Sequence, residues 1–296
     1  MIVYQSHDDG SRLAWFERSG VETGVLAPTA MLQGFRISPD GTSLVFERER
    51  GGAYDLWRAD LGRGVETRLT ADPGSEFSGV WSPDGRTLFF AADRKCPPHL
   101  FRKNLATGAE AELHPSGRFQ QPQDVTPDGR TLLYAERSEA GMFSLWTMAL
   151  AGDRPPARLF DTPFAESAGR FSRDGRWLAY TSVESGAVEV YVAPFPPTGE
   201  RTRVSSGGAA APRWGIDGRE LFYITGDGRL AAVPVRTTPS LQVGTATTLF
   251  TMKGMKWRDF DVSSDGKRFL AHVPESSGDR QPLTVVLNWT DELGKH

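Results

Sequence analysis

The sequence predicts an all-β fold, a β-propeller of four-stranded antiparallel blades, from three observations. A ten-residue motif recurs six times at nearly constant spacing, the strands after it are apolar at consecutive positions, and no stretch carries a long 3.6-residue period. The copies are "ISPDGTSLVF" from Ile37, "WSPDGRTLFF" from Trp81, "VTPDGRTLLY" from Val125, "FSRDGRWLAY" from Phe171, "WGIDGRELFY" from Trp214 and "VSSDGKRFLA" from Val262. Their glycines, Gly41, Gly85, Gly129, Gly175, Gly218 and Gly266, lie 43 to 48 residues apart. A period of that size marks a repeat architecture.

Each copy opens with an apolar residue and a small one, usually polar, then turns at Asp-Gly. Pro stands before Asp in three copies, as position i+1 of a type I turn allows, and Gly supplies the positive φ that follows. Beyond the turn come adjacent apolar residues, such as Leu88-Phe89-Phe90, so the second strand is covered on both faces. A second apolar pair follows, Leu56-Trp57 or Leu145-Trp146, and then a third cluster, as in Arg68-Leu69-Thr70. Four short strands, A to D, per repeat make a propeller blade. A β-sandwich is the competing architecture, and the regular spacing of whole four-strand units argues against it.

The expected blades span about 31–72, 73–116, 117–163, 164–206, 207–252 and 253–296, in one domain covering 1–296. Three strand-like pieces precede them: Ile2–Gln5, Arg12–Arg18 and Glu22–Leu26. They read as strands B, C and D of a blade lacking its inner strand. "LTVVLNW" (Leu283–Trp289) reads as strand C of the last blade. Seven blade positions with an incomplete first are therefore expected, or six if an N-terminal strand closes the last sheet. An opening in mid-blade points to a shortened or misassigned start.

The S-P-D-G-[RT]-x-L-x-[FY] motif with its downstream L-[WF] or V-Y pair resembles the repeat of TolB-like propellers, WD-repeat-like in design, over nearly the whole chain. "GRELFYITGDGRLAAVPV" (Gly218–Val235) and "PLTVVLNWTDELGK" (Pro282–Lys295) are similar to propeller domains appended to bacterial membrane serine/threonine kinases. The kinase signatures themselves are absent: the Gly-rich loop with its Lys, His-Arg-Asp and Asp-Phe-Gly. The resemblance implies a partner-binding or sensory propeller in an extracytoplasmic, periplasmic setting. It implies no activity, because one fold hosts many.

Composition agrees with one large β domain: 296 residues, 39% hydrophobic, 32 Gly and 20 Pro. A net charge of −3 gives no general attraction to nucleic acid or anionic lipid. No apolar run approaches the roughly 20 residues of a membrane helix, so direct insertion is not expected. "MIVYQSHDDG" has no basic n-region followed by an apolar h-region, as a signal peptide would. Cys96 is the lone cysteine and reads as a loop thiol. A monomer is expected.

There is no G-x-S-x-G elbow, Walker A loop, H-E-x-x-H or paired C-x-x-C. The histidines His7, His99, His114, His272 and His296 fall in different repeats or at the terminus, and no cofactor or metal is expected. Trp57, Trp81, Trp146, Trp177 and Trp214 recur at strand positions and read as packing between blades. One constellation remains. The D–A and B–C loops share a face opposite the Asp-Gly turns, and the D–A loops deliver the chain to the central channel. Residues read just before each inner strand are Glu76 with Phe77, Gln121, Gln123, Glu166, Arg213, Arg258 and Asp259, and the charged and amide ones are the channel-mouth candidates. The D–A loops also differ in every repeat, whereas the Asp-Gly turns are nearly alike. A non-catalytic module that binds a protein or peptide on the loop face is the leading expectation. The alternative is a metal-assisted lyase or hydrolase with its site at the channel mouth.

Overall fold

The computed structural model describes residues 2–4, 11–26, 32–238, 240–252, 260–274 and 284–286. Its elements follow from the turn. All six Asp-Gly glycines have positive φ, between 67° and 72°. In the second copy the Gly85 amide donates to the Ser82 carbonyl at 2.9 Å, closing the turn. Asp84 Oδ1 accepts from Ser82 Oγ at 2.6 Å and from the Arg86 amide at 3.0 Å. Ser82 Oγ in turn accepts from the Thr87 amide at 2.8 Å, so the small polar residue and the aspartate lock the hairpin together. Ser38, Thr126, Ser172 and Ser263 repeat that lock. Gly215, in the fifth copy, has no hydroxyl to offer, and that turn keeps the backbone bond common to all six, from the Gly215 amide to the Glu220 carbonyl, and the bond from the Arg219 amide to Asp217.

Six four-stranded antiparallel blades result. The first is Leu32–Ile37, Ser43–Arg50, Ala53–Asp60 and Glu66–Arg68. The second is Glu76–Trp81, Thr87–Ala92, His99–Asn104 and Glu110–Glu112. The third and fourth begin at Gln120–Val125 and Glu166–Phe171. In the fifth, headed by Ala209–Trp214, the outer edge of Arg229–Arg236 is shared by Gln242–Val243 and Thr247–Thr251.

The sixth blade decides between the two expected closures in favour of six positions rather than seven. Phe260–Val262 and Arg268–Pro274 are its inner strands, and Ser11–Glu17 and Glu22–Leu26 are its outer two. The N-terminal pieces are strands C and D of the last sheet, so the ring closes by joining the two ends of the chain. Ile2–Tyr4 pairs instead with Thr284–Val286 in a separate two-stranded ribbon, so "LTVVLNW" does not supply strand C. Closure satisfies backbone groups that an open edge would leave unpaired.

Apolar residues fill the six gaps between neighbouring sheets, one cluster to a gap. Leu88 and Phe90 pack toward the first blade with Val45 and Leu56, while Phe89 packs toward the third with Leu132 and Tyr134. That two-sided burial is why the second strands are apolar at consecutive positions. The tryptophans belong to this packing as expected: Trp81 lies with the first-to-second cluster, and Trp146 against the second-to-third.

A candidate binding chamber on the propeller axis

Inner strands converge on the axis, and equivalent positions form rings around it. Five residues before each turn glycine stand Arg36, Val80, Asp124, Arg170, Arg213 and Asp261. Each sits opposite the same position of its second strand, for example Arg170 opposite Ala179 and Arg213 opposite Phe222.

Contacts at or beside this ring stitch every pair of adjacent blades. The Ile37 amide donates to Asp261 Oδ2 at 2.9 Å, and Trp81 Nε1 to the Arg36 carbonyl at 3.2 Å. Gln121 Nε2 donates to Ser78 Oγ at 2.5 Å. The Phe171 amide donates to Asp124 Oδ2 at 2.8 Å, and Arg170 Nη1 to the Gln123 carbonyl. Trp214 Nε1 donates to the Arg170 carbonyl at 3.0 Å, and Arg213 Nε lies 3.7 Å from Asp261 Oδ1. Burial pushes Asp124 up to about 6, against the opposing pull of the Phe171 and Val125 amides and the Arg36 and Arg213 charges.

Two residues before the ring position the inner strands bulge. Ser78, Ala168 and Ala211 have φ of 58°, 54° and 53°, and the register with the second strand shifts at each. Non-glycine residues rarely adopt this region, and such strain concentrates at ligand sites and switches. The bulge leaves the Ser78 amide free of the ladder, and Glu47 Oε1 accepts it at 2.7 Å. Gly34 makes room for that carboxylate, since a Cβ there would lie 2.5 Å from Glu47 Oε1.

Above the ring a cavity of about 760 Å³ reaches the loop face. Arg36, Arg170 and Arg213 line its axial part. Half-buried Tyr54, Phe77, Phe119 and Phe143 wall it over the first three blades. Phe119 stacks on Phe77 at 5.9 Å and meets Phe143 edge-on at 5.8 Å. A volume of this size suits a ligand or a peptide side chain with its neighbours.

The sequence-derived candidates divide. Gln121, Gln123 and Arg213 line the chamber. Glu76 and Glu166 do not, being 0% and 1% exposed inside their own blades. Glu76 lies 3.5 Å from Arg94, which also pairs with Asp72 and Glu110 at 2.6 Å each. Burial pushes Glu76 up to about 7. Glu166 accepts from Thr162 Oγ1, and Arg158 holds the Thr162 carbonyl at 2.7 Å, so this carboxylate ties the incoming loop to its blade. Burial raises its pKa as well. Arg258 and Asp259 lie outside the described residues.

Phe77 was read at a loop end, but Arg36, Arg170, Tyr54, Phe119 and Phe143 escaped that reading. Their signal was the constant offset from the turn glycine, which places Arg170 in "GRF" at the position Arg213 holds in "PRW". His99 and His272 do not meet: His99 Nδ1 pairs with Glu112 at 2.8 Å, and His272 stacks on Phe35 at 6.2 Å. Among the described residues no three His, Cys, Asp or Glu side chains cluster as a metal site.

Residues 18–155 match the family model of the TolB beta propeller domain. The propeller is similar to that of TolB. The ring superposes on a protein of Agrobacterium tumefaciens assigned as a TolB with a TM-score of 0.73. That match has 16% identity and covers 90% of this chain and 98% of the other. TolB of Acinetobacter baumannii gives a TM-score of 0.63 at 17% identity, over 90% of this chain and 64% of that one. An oligogalacturonate lyase of Vibrio parahaemolyticus gives 0.60 at 16%, over 87% and 82%. At such identities the likeness concerns the fold alone. No curated protein matches by sequence. TolB-like propellers therefore frame the reading of the chamber without assigning it an activity.

Proposed function

We propose that this TolB-like propeller is a non-catalytic, extracytoplasmic module that binds a protein or peptide on its loop face. The observation that carries the reading is the chamber itself. Arginines lie on its floor, aromatic side chains line one wall, and its mouth opens among the D–A and B–C loops. Aromatic and arginine side chains are the groups that dominate binding energy at protein interfaces. Rigid blades hold these groups in place, so little ordering cost falls on binding.

Capture from a cell-envelope extract, with crosslinking, tests it. Phe77→Ser with Phe119→Ser should lose the captured partner, while Arg86→Ala with Arg130→Ala, on the exposed Asp-Gly face, should retain it. The reverse pattern would place the working surface on the opposite face. The lyase alternative is checked in the same preparation. Manganese or calcium at 100 times its dissociation constant would stabilise a metalloenzyme by roughly 2.7 kcal/mol, and no rise in melting temperature is expected.

A further inference from the structure

Resting on that reading of the loop face, we propose that the chamber selects an acidic side chain. A partner's glutamate or aspartate docks on Arg170 while its apolar neighbour lies against Phe77 and Phe119. Arg170 is only 9% exposed, and its two hydrogen bonds both run from Nη1 to backbone carbonyls, those of Gln123 and Gly169. Among the described residues no carboxylate pairs with it. Its ring neighbour Arg213 carries the same charge, and the Trp214 indole ties the two strands together. A buried guanidinium bonded only to neutral carbonyls is costly, and an arriving carboxylate relieves that cost. The guanidinium can grip a carboxylate with two parallel bonds.

The ring also sets the charge of the guest. Arg36, Arg170 and Arg213 stand against Asp124 and Asp261, which leaves one net positive charge among the described ring residues. Glu47, spent on the Ser78 amide, and Asp93 add negative charge at the mouth. With those two the described chamber carries one net negative charge, so attraction comes from Arg170 locally, and a dianionic phosphate is repelled more strongly than a monoanionic carboxylate. The aromatic wall lies on the first three blades and Arg170 on the fourth, beside the third, so the acidic group and its apolar neighbour occupy neighbouring sectors of the chamber.

Three end-blocked or free tripeptides serve as probes, followed by calorimetry: acetyl-Leu-Glu-Phe-amide, acetyl-Leu-Gln-Phe-amide and acetyl-Leu-Gln-Phe with a free C-terminus. The glutamate peptide should bind about tenfold more tightly than the blocked glutamine peptide, the scale of one charge-assisted bond. Arg170→Met should erase the difference, Arg170→Lys should leave part of it, and Arg86→Ala should change nothing. Circular dichroism establishes that each variant is folded, and Arg170→Lys carries the test if Arg170→Met is not. Equal binding of the blocked peptides, lost in Phe119→Ser, would overturn the acidic selection and leave the loop-face reading standing. Preference for the free C-terminus, or inorganic phosphate binding as tightly as the glutamate peptide, would overturn the side-chain assignment. No binding of any peptide at millimolar concentration, or binding unaffected by both Arg170→Met and Phe119→Ser, would overturn both.

Discussion

Glu76 shows how a charged residue at a loop end can serve the blade rather than a partner. It opens an inner strand, yet its side chain turns into the sheet beside Arg94 and leaves the chamber to its neighbour Phe77. Its carboxyl, pushed up to about 7, binds a proton more tightly in the folded protein than in the unfolded chain, where the value is about 4.3. The native state then holds more protons than the unfolded state between those values. The contribution of Glu76 to stability therefore falls as pH rises from about 4.5 to 7, and is flat above. Glu76→Gln removes the ionisation while Arg94 keeps Asp72 and Glu110. The variant should melt above wild type at pH 8, by on the order of 1–3 kcal/mol, and near wild type at pH 5. Thermal melts at the two pH values check this, and an equal difference at both would show that titration is not the cause.

At the scale of the element, the hairpin and the inner-strand bulge differ in how they are written. The hairpin is explicit, since Asp-Gly and the preceding hydroxyl residue make its hydrogen bonds within ten residues. The bulge has no comparable signature: Ser78, Ala168 and Ala211 share a backbone conformation that none of them prefers. Tertiary packing holds them there. Ala211→Gly should therefore raise the urea midpoint by on the order of 1 kcal/mol, because glycine enters positive φ without strain. Ala210→Gly, one residue away and not at positive φ, should lower it by roughly 0.5–1 kcal/mol. Shifts of the same sign at both positions would argue against strain at the bulge.

For the whole molecule, closure is the decisive joint. Ser11–Glu17 pairs along its full length with Arg268–Pro274, and Leu13 packs with Leu270 and Phe46 across the gap to the first blade. Arg18 adds a bidentate contact to Glu220 at 2.9 Å, but it is exposed and worth little. A chain starting at residue 27 should lose its single cooperative melt and associate through the open edge. A synthetic peptide of residues 11–26 should restore the cooperative melt. Unchanged melting of the shortened chain would mean that these strands are not part of the closing sheet.

The sequence by itself determined the repeat, the Asp-Gly hairpin, the two-sided second strand and the all-β blade, because each arises from contacts within one unit of 40-odd residues. It left open six blades against seven, because Arg12–Arg18 carries no mark of the partner it meets at the far end of the chain. Gln121, Gln123 and Arg213 were legible as chamber residues from their place at the ends of the loops that enter the inner strands. Only the tertiary structure turned Glu76 and Glu166 inward and brought Arg170 beside Arg213, residues 43 positions apart, around a common axis. The physical reason is that a strand's pattern specifies which faces are buried, whereas the axis exists only once six separate sheets have closed on one another.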